Sequence, residues 1–198
     1  MGIQINQYPN EATIVNGNDL YDIDAYISAG VYESKKIKAS TIADGISGLK
    51  PYGSFYDTTT QTITSGSTAA MKLNTTDFNQ HIDIGNDGLG DPTIIQVQKA
   101  GVYDLKFSVQ LNRTTGGSPK QVVIWARING VDVPYSAGHI TMEANHGRDI
   151  TAWNYFFNLN ASDEIQLMWT QNDDIQLFHE VGVGYPDTPS LIVTINQI

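Results

Sequence analysis

The chain has 198 residues, 40% of them hydrophobic, and a formal net charge of −10. That is enough apolar material to bury a core and too much for a disordered chain, while the negative charge sets nucleic acid aside as a partner. The absence of cysteine closes disulfide frameworks, thiolate zinc sites and thiol nucleophiles.

At the N-terminus, Met1-Gly2-Ile3-Gln4-Ile5-Asn6 has neither the basic start nor the apolar run of a signal peptide, and no later segment approaches a membrane span. Neither secretion nor membrane insertion is expected. Through residue 50 the apolar residues are isolated or come in short clusters, Asp19-Leu20-Tyr21-Asp22-Ile23 and Ile37-Lys38-Ala39-Ser40-Thr41-Ile42. No autonomous core is visible in that pattern, so residues 1–50 read as an extended anchoring arm. Leu20, Tyr21, Ile23, Ile37 and Ile42 are its candidate anchors, because side chains so spaced are buried only by another subunit or a larger assembly. A swapped or disordered tail is the alternative. Ser40 can cap one helical turn reaching Ile46, which Gly45 and Gly48 would stop early.

Gly48, Pro51 and Gly53 mark a boundary, and residues 51–198 change to short β-branched and aromatic runs between Gly, Asn, Asp and Pro turns. The clearest predicted strand is 101–111, with Tyr103, Leu105, Phe107, Val109 and Leu111 on one face and Asp104, Lys106, Ser108 and Gln110 on the other. A strand over 122–128 follows, then Ile128-Asn129-Gly130-Val131, whose Asn-Gly supplies the positive φ angles of a type I′ hairpin. Residues 150–159 and 165–169 form a further predicted pair, and 191–198 closes a set of about seven to ten strands. On the 150s strand, Trp153, Tyr155, Phe157 and Leu159 share one face, yet Ile150, Ala152 and Phe156 share the other. The last strand is also apolar on both faces. A two-layer sandwich needs one apolar face per strand, so a subunit interface is expected to take up the excess.

Little in the sequence points to catalysis, and no enzyme is expected. His81, His139, His146 and His179 are scattered, without i,i+4 or His-Glu-x-x-His spacing, and Gly-x-Ser-x-Gly is missing. Between Asp83 and Asp91, the residues Asp83, Asn86, Asp87 and Asp91 offer oxygen ligands to calcium. Ile94 stands where an EF-hand needs its bidentate Glu, however, and a Gly-rich turn accounts for the same residues; no other cofactor is indicated. Thr58 to Thr68 reads as strand edge and loop. The polar stretches 114–118 and 171–174 are candidate loop tips, with Tyr135 and Tyr185 as aromatics that can stack on a sugar.

Taken in order, Gly101-Val102-Tyr103, Phe107-Ser108-Val109, Ile128-Asn129-Gly130, Leu159-Asn160-Ala161-Ser162-Asp163-Glu164-Ile165 and Leu191-Ile192-Val193-Thr194-Ile195 resemble the jelly roll of tumour necrosis factor and the complement globular heads. The resemblance covers residues 52–198 and implies an all-β, antiparallel two-sheet sandwich. It also implies a homotrimer with aromatics near its three-fold axis, for which Tyr103, Trp153, Tyr155 and Tyr185 are the candidates. One departure is Ala161-Ser162-Asp163, where that family often has Ala-Gly-Asp, so a different turn conformation is expected. The clusters at 19–23 and 34–42 resemble the short leader of many bacteriophage structural proteins. Together these resemblances imply a non-enzymatic virion protein on the outer capsid surface, a trimeric decoration or head-fibre protein. Residues 1–50 would bind the major capsid or another virion protein, and the loop tips would meet a host glycan or receptor. A tail or tail-fibre receptor-binding tip and a carbohydrate-binding jelly-roll module are the alternatives.

Overall fold

The computed structural model describes residues 20–28, 31–38, 50–143, 147–172 and 174–198. The chain divides into two units, Met1–Leu49 and Lys50–Ile198. In the first, β1 (Leu20–Ser28) and β2 (Val31–Lys38) pair antiparallel, with Leu20 opposite Lys38, Asp22 opposite Lys36 and Ile23 opposite Lys35. Over 20–28 and 31–38, then, the arm is a two-stranded ribbon whose backbone groups pair across the two strands, and Asp22 opposite Lys36 is the acid–base pair of that register. The anchors Leu20, Tyr21, Ile23 and Ile37 lie on these strands; Ile42 and the Ser40–Ile46 turn lie outside the described residues.

The second unit continues with β3 (Tyr52–Asp57), β4 (Thr68–Ala70), β5 (Thr75–Gln80), β6 (Ile82–Asn86), β7 (Pro92–Val97), β8 (Gly101–Arg113), β9 (Lys120–Ile128), β10 (Val131–Asp132), β11 (Gly138–Met142), β12 (Arg148–Leu159), β13 (Glu164–Gln171), β14 (Ile175–Leu177) and β15 (Leu191–Gln197). Among the described residues it has thirteen strands, more than the seven to ten expected, because short pieces such as β4, β10 and β14 are too brief to show alternation in the sequence. They form two antiparallel sheets. One runs β12-β8-β15-β3-β5, with β14 beside β8; the other runs β10-β9-β13-β7-β6, with β11 beside β9 and β4 beside β13.

The last strand, β15, lies between β3, the first strand of this unit, and β8. The chain crosses from sheet to sheet between β3 and β4, β4 and β5, β5 and β6, β7 and β8, β8 and β9, β11 and β12, β12 and β13, and β13 and β14. That interleaving is the strand order of a jelly roll, which blunts sheet edges by folding two Greek keys face to face. Alternation fills the interior: Tyr103, Leu105, Phe107, Val109 and Leu111 of β8 meet Ile124 and Ala126 of β9 and Ile165, Leu167 and Trp169 of β13 in one buried cluster.

Two turns carry the sheet connections. Asn129 and Gly130 have φ of 50° and 78°, the geometry of the type I′ hairpin expected there. Ser162 has φ 72°, the left-handed region that glycine takes without strain. The expected change of turn conformation at Ala161-Ser162-Asp163 is therefore corrected: serine adopts the backbone that a glycine would, held by Ser162 N–H on the Val97 carbonyl at 2.7 Å and by Asn160 N–H on Asp163 Oδ2 at 2.7 Å.

Candidate functional site

The two outer sheet faces differ in chemistry. On the sheet centred on β8, the outward positions include Tyr52, Phe78, Val102, Ile150, Phe156 and Ile192, all exposed, with Phe156 at 61% and Ile150 at 64%. Ser54 lies opposite Phe78, so Tyr52 and Phe78 are diagonal neighbours, and their rings meet at 6.0 Å edge to face. Asp104, opposite Phe156 on one side and Asn196 on the other, accepts from Lys106 and, at 3.2 Å, from Asn154. The Lys106 bond above all, and then that of Asn154, outweigh partial desolvation and hold the Asp104 carboxyl below the usual carboxylate range. The apolar face is thus crossed by one neutralised polar network.

The opposite sheet presents charge. Lys72 pairs with Asp91 at 2.8 Å, Arg127 with Asp132 at 2.8 Å, and Gln166 donates to Thr93 at 2.9 Å. Lys72, Asp91, Arg127, Gln166 and Thr93 line a cleft of about 290 Å³ with Met168 among its walls. Each is spent on a neighbour, so the cleft is a self-satisfied polar surface.

The four candidate interface residues separate. Tyr103 is fully buried and donates its hydroxyl to the Lys99 carbonyl at 2.7 Å, and burial pushes its phenol upward. It has no surface to offer a second subunit. Trp153 and Tyr155 lie on the inward side of β12, with Phe107 4.7 Å from Trp153 and Phe157 5.4 Å from Tyr155, ring to ring. The Tyr155 hydroxyl donates to the Ser136 carbonyl at 2.7 Å, and the Trp153 ring packs so closely on Gly138 that a Cβ there would stand 2.8 Å from it. These two aromatics close the gap between β12 and the segment leading into β11. An edge strand needs large inward side chains to seal the sandwich, and this accounts for the aromatics assigned in the sequence to the axis. Tyr185 alone of the four is exposed.

Tyr185 belongs to a loop, residues 178–190, joining β14 to β15. Glu180 and Thr188 exchange backbone hydrogen bonds at 3.0 and 2.8 Å, and Gly182 N–H donates to Asp187 Oδ1 at 2.9 Å. At the root, Arg148 reaches Glu180 at 2.6 Å while its guanidinium stacks 4.5 Å from the Phe178 ring centre. The tip exposes Val181, Val183 and Tyr185. Of these surfaces, the sequence registered Ile150, Phe156, Ile192 and Tyr185; it missed Tyr52, Phe78 and Val102, of which only Val102, apolar on the polar side of β8, left a signal.

The remaining candidates do not converge. Asp83 accepts from Asn79 at 2.9 Å and from Gln98. Asp87 folds its own turn, accepting from the Leu89 and Asp91 amides and the Thr93 hydroxyl at 2.9, 3.1 and 3.1 Å. Asp91 holds Lys72. The Asp83, Asn86, Asp87, Asp91 set is corrected accordingly: the carboxylates are turned to separate internal donors, and among the described residues no three His, Asp or Glu side chains gather for a metal. His81 Nδ1 lies 3.3 Å from the Gln98 carbonyl oxygen of the side chain, and His179 Nδ1 3.0 Å from the Thr188 carbonyl. His139 is exposed on β11, and His146 and Asp173 lie outside the described residues. The two predicted loop tips do meet: Thr114 N–H and Thr115 Oγ1 donate to Asp174 at 2.9 and 2.6 Å. With Thr62, Ile63 and Ser65 they border a cleft of about 230 Å³, so the Thr-rich stretch lies beside them. Tyr135 is fully exposed with φ 64°, while the next residue, Ser136, bonds Ala126 and Val133.

No family model and no curated protein matches the sequence. Among solved structures, murine APRIL crystallised at pH 8.5 is similar over 76% of this chain and 100% of that one, with 11% identity and a TM-score of 0.48. The globular domain of zebrafish complement 1qA protein is similar over 76% of this chain and 98% of that one, with 12% identity and a TM-score of 0.47.

Proposed function

We propose that this chain is a non-enzymatic virion structural protein: a capsid decoration or head-fibre protein whose jelly roll works as a homotrimer and whose residues 1–50 attach it to a capsid or other virion protein. The observation that carries the reading is the asymmetry of the two outer faces. Tyr52, Phe78, Val102, Ile150, Phe156 and Ile192 crowd one sheet, while the other is laced with ion pairs. A chain with a net charge of −10 gains nothing by collecting exposed aromatics and aliphatics on one sheet face unless that face is covered. A closed ring of identical subunits covers it. The virion setting rests on the resemblance of residues 19–23 and 34–42 to bacteriophage leaders, and in it the polar loops at 114–118 and 171–174 are the candidate contacts with a host surface.

The test is the mass of the full chain by light scattering after gel filtration. A trimer of the 21.7 kDa chain weighs about 65 kDa. A clean monomer would refute the assembly and favour the carbohydrate-binding alternative.

A further inference from the structure

From the 178–190 loop we infer a second element of self-assembly: its tip, Val181, Val183 and Tyr185, is an intersubunit clasp that lies on a neighbouring copy of this chain. The inference rests on the trimer proposed above and names a contact the sheet face alone does not supply.

Three observations lead there. The tip is apolar and projects, with Val181, Val183 and Tyr185 exposed at 68, 86 and 53%. It is also held rigid. Gly182 passes so near the chain that a Cβ would stand 2.0 Å from the Tyr185 carbonyl oxygen, Gly184 sits at φ 82°, and the Glu180–Thr188 bridge and the Asp187 side chain close the base. A pre-organised loop loses little entropy on docking, which is what a contact surface requires and a solvated linker does not.

The third observation is position. Along β12 the outward residues are Arg148, Ile150, Ala152, Asn154 and Phe156, alternating with inward Trp153, Tyr155 and Phe157. Arg148 carries the loop root, through Glu180 and Phe178. The clasp therefore rises from the apolar face and is continuous with it through Ile150. Its charge fits the same partner. Residues 181–186, Val-Gly-Val-Gly-Tyr-Pro, contain no charged side chain; of the two flanking carboxylates, Glu180 pairs with Arg148 and Asp187 is exposed and accepts from the Gly182 amide. A chain of net charge −10 repels its own copies, so copies meet best where charge is absent.

Sedimentation of dilution series compares the wild type, the double variant Val181→Asp with Val183→Asp, and Leu89→Asp, a control at a fully separate exposed turn. The clasp variant is expected to need a concentration on the order of 100-fold higher to hold the trimer, with Leu89→Asp unchanged. Because the chain has no native cysteine, Val183→Cys gives a second readout: maleimide labelling slow in the trimer and fast after dilution to monomer. A trimer that tolerates both aspartates and labels at the monomer rate overturns the clasp while leaving the sheet-face assembly standing. A monomeric wild type overturns the assembly itself, and the clasp with it.

Discussion

Asn129 and Asp163 tie the hairpin turn after β9 to the turn before β13: Asn129 Nδ2 donates to Asp163 Oδ1 at 2.8 Å, and Asn129 Oδ1 accepts from Glu164 N–H at 2.9 Å. The Asn129 bond first, then the Asn160 amide, holds the Asp163 carboxyl below the usual carboxylate range. A folded pKa below the unfolded value gives stability that is fully present above about pH 4 and is lost as pH falls through the folded value. Asp163→Asn is expected to cost about 1–2 kcal/mol at neutral pH and to lose less on acidification than the wild type. Urea titrations near pH 7 and near pH 3 check both; equal stability at neutral pH would reduce the Asn129–Asp163 contact to a surface detail.

Ser162 bears a conformational cost that its side chain does not relieve. At φ 72° an L-residue is disfavoured by about 1–2 kcal/mol relative to the right-handed region, and glycine is not. Ser162→Gly is expected to stabilise the sandwich by roughly 0.5–1 kcal/mol after glycine's larger unfolded-state entropy is deducted. A rise of a few degrees in thermal midpoint registers it, and a fall would mean that the serine hydroxyl has a partner in the assembled protein.

How much of this was legible follows from what a linear pattern encodes. The inward face of β8 and the Asn129-Gly130 turn were readable because alternation and a two-residue turn signal are local properties. Trp153 and Tyr155 were readable as one face of a strand, but not as inward, because an aromatic row looks the same whether its own second sheet or a neighbouring subunit covers it. Tyr103 failed for the same reason. The Asp83 to Asp91 carboxylates failed differently: spacing says nothing of where side chains turn, and here Asp87 folds back on its own turn while Asp83 crosses to Asn79 and Gln98.

Trp153 and Phe156 offer a direct contrast, three residues apart on β12 and on opposite faces. Trp153→Ala removes an aromatic that touches Phe107 and Tyr155 and is expected to destabilise the folded subunit by about 3–4 kcal/mol, somewhat less if the half-buried edge admits water. Phe156→Asp removes a side chain exposed in the single subunit, so the monomer fold should persist with little change in circular dichroism while trimer mass is lost. If Phe156→Asp unfolds the protein, or leaves the trimer untouched, the sheet face is not the assembly surface.

Deletion of residues 1–45 tests where attachment resides. The described core runs from Phe55 to Ile195, and the contact-defined boundary falls after Leu49, so the deletion removes no core side chain of the sandwich. The truncated chain is expected to keep its thermal midpoint within a few degrees and, on the proposed assembly, to form the same trimer, because the core and the proposed sheet-face contact both lie beyond the cut. It should nevertheless be absent from particles purified after co-expression with the capsid components, because Leu20, Tyr21, Ile23, Ile37 and Ile42 are gone. Adding back residues 1–45 as a fusion to an unrelated trimer should confer particle binding, with threefold multivalency strengthening weak single contacts. If the truncated sandwich decorates particles at full occupancy, the attachment surface lies on the sandwich itself, and the polar sheet bearing Lys72, Asp91, Arg127 and Asp132 becomes the place to mutate next.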